Sequence, residues 1–256
     1  MSPLSAVILT RNEQQHLPAC LASVRWADEV LVVDSFSTDR TSQIASEAHI
    51  RFVQHEFADY ASQRNYALAE AKGDWVLFVD ADERVSDELR AEILNLLAMP
   101  SERRSAAAGY WIPRQNYIFG AWVRHTGWYP DRQLRLMRRE RAQYDLSRPV
   151  HELVQLDGAT GILAGHLIHL NYETVGEFLR KQRQYAVLDA ESLRLKGVRA
   201  RPHGFVLQPL REFRRRYLSL EGYQDGWRGL LLSALMAWYN FEVYRRLADR
   251  QTEAGE

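Results

Sequence analysis

The chain has 256 residues, 46% hydrophobic and 26% charged, with a formal net charge of zero. That length supports one large domain, or one with an appendage, around a real core, and the charge balance gives no global attraction to nucleic acid. Cys20 is the sole cysteine, which excludes an internal disulfide and suits a reducing compartment.

The first residues lack a basic segment followed by a long apolar run, so they read as a strand and not a leader. Residues 5–9 (SAVIL) form that strand. Residues 14–24 carry Leu17, Leu21 and Val24 at helical spacing. Residues 29–33 (EVLVV) make a second buried strand closed by Asp34, and Thr38 or Asp39 caps a helix reaching residue 48. A short strand at 50–53 precedes a helix at 60–71, with Gly73 as its stop. Residues 75–79 (WVLFV) form a fourth strand, and a helix follows at 86–97 with Ser86 as cap and Glu88 in its first turn. Residues 109–171 are irregular and rich in aromatics and arginine, with strand-like pieces at 109–113, 132–138 and 166–170. A long amphipathic helix spans 173–196, a linker covers 199–204, and two more helices occupy 205–220 and 230–250.

Strands alternating with helices imply an α/β fold, a doubly wound and mostly parallel sheet with both faces covered. In such a sheet, ligands bind beyond the carboxyl ends of the strands. Three strands end there in polar groups: Thr10-Arg11-Asn12-Glu13, Asp34-Ser35 and Asp80-Ala81-Asp82-Glu83. Paired carboxylates at a strand end repel one another unless a cation joins them, and Mg²⁺ or Mn²⁺ takes oxygen ligands while bridging substrate phosphates. An isolated Asp-x-Asp also occurs as a solvated turn, so the other strand ends carry the functional reading. Asp34 reads as a helix cap or as an acceptor for a base or ribose. Arg64 reads as a surface arginine or as a donor to a nucleotide.

The segments VILTRNE, VVDSFSTDRT, ASQRNYAL and WVLFVDADE, in this order, resemble the inverting GT-A glycosyltransferases of the large family 2. The later segments RQNYIFGAWVRHTGWYPDRQLRLMRR, RPVHE and HLIHLNYETVGEFLRKQRQYA are similar to the lipopolysaccharide core β-1,4-glucosyltransferase subgroup. The resemblance implies a GT-A, Rossmann-like catalytic domain over 1–172 (1–100 for the nucleotide, 101–172 for the acceptor) and a helical extension over 173–256. It implies that Thr10, Arg11 and Glu13 line the nucleotide pocket, that Asp34 and Arg64 contact the base, and that Asp80 meets ribose or metal. Asp82 would bind Mg²⁺ or Mn²⁺ on the diphosphate of a UDP-sugar, most simply UDP-glucose. Two departures stand out: Ser35 and Phe36 occupy the places where the family often has a second acid and a glycine, and the family's Glu-Asp base motif is missing.

Inverting transfer needs one carboxylate to accept the acceptor's proton. Glu152, in RPVHELV, comes where the family places its base, and Asp131, in WYPDRQ, is the runner-up. His151 would orient the base or touch the acceptor. His169 is either a packing residue or a further metal or phosphate contact. Trp111, Tyr117, Trp122, Trp128 and Tyr129 are interleaved with Arg114, Arg124, Arg132 and Arg135. Aromatic faces pack on sugars and arginine forks grip phosphate, so Arg114, Trp128 and Arg132 are acceptor candidates, for a phosphorylated inner-core heptose region on a lipid anchor.

Nearly all the basic charge is arginine, since Lys72, Lys181 and Lys196 are the only lysines. The longest charge-free apolar stretch, 229–240, falls short of the roughly 20 residues that span a bilayer. Arginine clusters mixed with Trp, Tyr and Leu after residue 208 suit a helix lying on an anionic leaflet. The expectation is a cytoplasmic enzyme, peripheral on the inner face of the plasma membrane. A hairpin packed on the catalytic domain and a dimer interface are the competing readings of those helices. A polyprenyl-phosphate or protein acceptor, and a non-catalytic sugar-nucleotide-binding scaffold, are the competing readings of the whole.

Overall fold

In the computed structural model, which describes residues 2–48, 50–99, 107–146 and 154–253, the N-terminal apolar runs become parallel strands alternating with helices. These are β1 (Leu4–Thr10), α1 (Leu17–Val24), β2 (Glu29–Asp34), α2 (Thr41–Glu47), β3 (Arg51–Gln54), α3 (Tyr60–Glu70) and β4 (Trp75–Asp80). A short β5 (Glu83–Val85) leads into α4 (Asp87–Ala98). Then come β6 (Ala107–Ile118), β7 (Ala121–Trp122), β8 (Asp131–Arg138), β9 (Ala142–Tyr144), β10 (Val154–Leu156), β11 (Ala159–Ile162) and β12 (Leu167–Tyr172). Three long helices close the chain: α5 (Val175–Leu195), α6 (Gly204–Arg214) and α7 (Gly226–Glu253).

The main sheet runs β3-β2-β1-β4-β8-β6-β12-β5. Its first four strands are parallel, and β8 lies antiparallel to β4 with Trp75 opposite Arg138. The chain divides into two compact units, Met1–Arg114 with Arg132–His169, and Gln115–Asp131 with Leu170–Glu256.

In the first unit, side-chain alternation along the strands feeds two cores. Leu4, Ala6 and Ile8 of β1, Val32 of β2, and Trp75, Leu77 and Val79 of β4 pack with Leu17, Leu21 and Val24 of α1 and with Leu89, Ile93 and Leu97 of α4. Their neighbours Val7, Leu31, Val33, Val76 and Phe78 pack on the other face with Ala61, Ala67 and Leu68 of α3 and with Met137 and Tyr144. A strand buried on both faces has no polar stripe, which is why these runs are uniformly apolar.

The helix expected from residue 14 starts at Leu17, because residues 13–16 form a turn in which the Glu13 carbonyl accepts from the amides of His16 and Leu17. Ser86 caps α4 as expected, accepting from the Leu89 amide at 3.2 Å. Gly73 does not stop α3. That helix ends at Glu70, with Ala71 already extended. Gly73 instead lies where the backbone of β1 passes: a Cβ there would sit 2.6 Å from the Ser5 nitrogen, and its amide donates to Ser5 Oγ at 2.8 Å. Strands β5, β7, β9, β10 and β11 were not expected; with two to four residues each, they are too short to show a period.

In the second unit, Ile118, Val123, Tyr172, Phe178 and Leu232 form one core, and Ala186 and Ala190 of α5 meet Tyr239, Val243 and Leu247 of α7 in another. Asp225 ties a loop to the start of α7, accepting from the amides of Arg124 (3.1 Å) and His125 (2.9 Å) and from His125 Nδ1 (3.1 Å). The predicted helix over 205–220 is α6 followed by a π turn at Arg215–Ser219. Val206, Leu207 and Leu210 on α6 are 67%, 46% and 60% exposed. No helix among the described residues is long and apolar enough to cross a membrane.

Candidate active site at the carboxyl ends of the strands

The parallel register sets Thr10 beside Asp34 and Leu9 beside Asp80, so three polar strand ends share one edge of the sheet. Thr10 Oγ1 donates to Asp34 Oδ1 at 3.0 Å in a fully buried contact. Asp34 also accepts from the Ser37 amide at 2.8 Å, from the Ser37 hydroxyl, and from Gln54 Nε2 at 3.3 Å. These four donors fill the lone pairs of the carboxylate, and the Gln54 contact is the longest.

The loop after β1 interlocks with the loop after β2. The Asn12 amide donates to Ser37 Oγ (2.8 Å), the Thr38 amide to Asn12 Oδ1 (2.8 Å), the Glu13 amide to Thr41 Oγ1 (2.9 Å) and the Gln14 amide to Asp39 Oδ2 (3.1 Å). Asp39 also accepts from the Thr41 amide at 2.9 Å, so it anchors the start of α2 while Arg40 occupies the cap position. Glu13 is half-buried and Arg11 is exposed.

At the end of β4 the two aspartates of Asp80-Ala81-Asp82 part company. Asp80 is clamped by Arg135, Nη1 to Oδ1 at 3.1 Å and Nη2 to Oδ2, and Arg64 Nη2 adds a third contact at 3.4 Å. Desolvation among these side chains pushes the Asp80 carboxyl up, but the Arg135 and Arg64 guanidiniums outweigh it and hold the group far below the usual carboxylate range. Glu83 is fully buried and accepts from Arg135 Nη2 and Arg114 Nη1, both at 3.2 Å, and from the Asp80 amide at 3.0 Å. Two acids and three arginines thus form one network beneath the strand end. Arg64 also lies over the Phe78 ring at 5.0 Å. Arg84 staples the turn by donating to the carbonyls of Ala81 (2.7 Å) and His16 (2.8 Å). Cys20 Sγ, fully buried, donates to the Asp80 carbonyl at 3.5 Å.

Asp82 points elsewhere. The antiparallel pairing of β12 with β5 sets His169 opposite Glu83, and His169 Nε2 lies 3.4 Å from Asp82 Oδ2. Asp82 is half-buried and His169 8% exposed; the carboxylate is the ligand type that Mg²⁺ or Mn²⁺ takes, whereas an imidazole suits softer ions. Among the described residues no group of three or more His, Cys, Asp or Glu donors converges, so a cation here would need the substrate's oxygens.

The first unit therefore holds Thr10, Arg11, Glu13, Asp34, Arg64, Asp80, Asp82, Arg114, Arg132 and His169. Arg132 is exposed, and Arg114 is committed to Glu83. Asp131 and Trp128 belong to the second unit. There Asn116 Nδ2 donates to Asp131 Oδ2 at 3.2 Å and to the Trp128 carbonyl at 2.8 Å, and the Trp128 ring packs edge-on to Tyr172. His151 and Glu152 lie outside the described residues. Sequence reasoning gave Glu83 no individual role and grouped Arg135 with the phosphate-gripping arginines of the acceptor region. The available signal was an arginine inside the otherwise apolar run LRLM, since a charge in a buried strand requires a buried partner.

Residues 5–154 match the family model described as glycosyl transferase family 2. The chain is 32% identical over 256 residues to the lipopolysaccharide core biosynthesis glycosyltransferase LpsC of Rhizobium meliloti (strain 1021), covering 96% of this chain and 93% of that protein. It is 24% identical to the uncharacterized glycosyltransferase RP128 of Rickettsia prowazekii (strain Madrid E), covering 97% and 88%. Among solved structures, residues 1–349 of S. aureus TarS in complex with UDP superpose with a TM-score of 0.50 at 18% identity, over 99% of this chain and 92% of that one.

Proposed function

The chain belongs to glycosyl transferase family 2 and has the GT-A fold, and from that premise we propose that it is an inverting, metal-dependent hexosyltransferase of lipopolysaccharide core assembly. The donor in this reading is a UDP-sugar, most simply UDP-glucose, and the acceptor a heptose of the inner core on its lipid anchor. The observation that carries the reading is the divergence of the two aspartates at the end of β4: Asp80 is neutralised by arginine, and Asp82 stands with His169 beside the same strand edge. The name of the Rhizobium relative supports a core acceptor, and the UDP held by the fold relative supports a uridine donor.

Each group has a task in this scheme. Thr10, Arg11, Glu13 and Asp34 border the base and ribose, with the Asp34 turn fixed by Ser37. Arg64 and Asp80 form the floor beneath the ribose and diphosphate. Asp82 and His169 would hold Mg²⁺ or Mn²⁺, which when bound supplies Lewis-acid neutralisation of the charge on the departing diphosphate. Trp128, Arg132 and His151 are assigned to the acceptor, while Arg114, the fourth acceptor candidate, is held by Glu83. The acceptor hydroxyl attacks the anomeric carbon as the bond to UDP breaks, and its proton passes to a carboxylate, Glu152 first and Asp131 second.

The same reading puts the enzyme on the inner leaflet of the plasma membrane, where a lipid-linked acceptor is found. The exposed Val206, Leu207 and Leu210 of α6, next to the exposed Arg211 and Arg214, support docking to an anionic surface.

Titration with UDP-glucose, UDP-galactose, ADP-heptose and GDP-mannose, with and without Mn²⁺, tests the reading. One UDP-sugar should raise the melting temperature with the logarithm of its concentration. Asp82→Ala should remove the Mn²⁺ dependence and lower kcat on the order of 100-fold. Absence of a shift with every nucleotide sugar would leave the scaffold reading in its place.

A further inference from the structure

Among the residues that border the strand ends, Phe36 is the one whose backbone and side chain both look expensive. It follows the Asp34-Ser35 strand end, has a φ of 53°, and is 57% exposed. A bulky residue in the left-handed region is a steric outlier, because its Cβ crowds the neighbouring carbonyl. Burial does not offset that cost. The ring belongs to neither hydrophobic core of the first unit and makes no ring contact among the described residues.

The surrounding bonds hold the strained conformation in place. On one side the Ser35 amide donates to the Thr10 carbonyl at 2.9 Å, and Ser35 Oγ accepts from Gln63 Nε2 at 3.1 Å. On the other, the Ser37 amide is fixed to Asp34 and the Ser37 hydroxyl to both Asp34 and Asn12. Neither neighbour is free to turn, so the loop holds a largely exposed aromatic side chain two residues beyond the Asp34 strand end. Strain that persists under such constraint points to function. A glycine would adopt this φ without penalty, so what the phenylalanine adds is its ring.

From this geometry we infer that Phe36 is a stacking platform for the base of the donor nucleotide. The inference rests on the uridine-donor reading above and deepens it by naming the group that meets the base. A flat apolar ring with no ring contact among the described residues suits the π face of a pyrimidine, and base–aromatic stacking contributes binding without hydrogen-bond readout. Orientation comes from Thr10 and Asp34, and the ring supplies area.

The test compares wild type with Phe36→Gly, Phe36→Ala and Phe36→Trp, using UMP, UDP and inorganic pyrophosphate with Mn²⁺ as probes. Calorimetric Kd values and melting temperatures are read on the same samples. Phe36→Gly should weaken UMP and UDP about tenfold, leave pyrophosphate unchanged, and hold or raise the melting temperature by about 1–3 °C as strain is released. Phe36→Ala keeps the left-handed strain without the ring, so it should lose the same affinity with no gain in stability. Phe36→Trp should keep wild-type affinity. The opposed movement of stability and base affinity is what a merely structural phenylalanine would not produce. Equal UDP affinity in wild type and Phe36→Gly overturns the platform and leaves the donor reading intact. Failure of wild type to bind any uridine nucleotide overturns both.

Discussion

Arg135 faces both Asp80 and Glu83 at the end of β4, which makes it the residue whose loss the site tolerates least. Arg135→Met would leave the fully buried Glu83 short of a partner, and breaking such a pair costs about 3–5 kcal/mol; chemical denaturation should show that loss. The same cluster sets an acid limit. Because the folded-state acidity of Asp80 lies below the unfolded value of about 3.9, its contribution is complete above that pH and is lost as pH falls toward the folded value. The difference in melting temperature between wild type and Asp80→Asn should therefore stay constant above about pH 5 and close below about pH 4. At this scale the sequence was partly legible. The acids of the strand ends could be read because each follows an apolar run. What could not be read was which aspartate would be neutralised, since that depends on Arg135 and His169 arriving from β8 and β12.

Elements were more legible than residues, because periodicity reports which face is buried while caps and stops compete with tertiary packing. Strands β1, β2 and β4 and helices α3, α4 and α5 fall within a few residues of their expected bounds. Gly73 shows how a correct residue can be given the wrong reason: a glycine after a helix suggests a stop, and here it serves the passage of β1. Gly73→Ala should lower stability by about 1–3 kcal/mol through overpacking, with no change in helix content by circular dichroism. Helix α6 starts one residue before the expected 205–220, and its Val206, Leu207 and Leu210 are exposed. Leu207→Glu with Leu210→Glu should weaken sedimentation with phosphatidylglycerol vesicles by at least about tenfold, since each leucine contributes about 1.5–3 kcal/mol on burial. The double variant should bind UDP as wild type does. Undiminished vesicle binding would remove α6 from the membrane reading.

For the whole molecule, a net charge of zero hides two kinds of charge: at the end of β4 Asp80, Glu83 and Arg135 are paired internally, whereas Arg211 and Arg214 of α6 are exposed. Composition alone could not locate that difference, because pairing is a property of the fold. Family membership and fold class were legible from the order of four motifs, since that order fixes a parallel sheet whose carboxyl edge gathers them. The division of the chain was not. Residues 115–131 share a unit with the C-terminal helices because Ile118 and Val123 bury against Tyr172, Phe178 and Leu232, a long-range pairing that no local pattern records.

Cys20 makes the protein its own reporter. It is the sole thiol in the chain, it lies sealed under the Asp80 carbonyl, and burial pushes its ionisation up out of the reactive range. An alkylating reagent can reach it only when α1 and the end of β4 separate, so the labelling rate measures how often the floor of the site opens. A bound UDP-sugar should slow that rate in proportion to its occupancy, and Arg135→Met should speed it, which a mass-spectrometric time course would record with no substrate turned over.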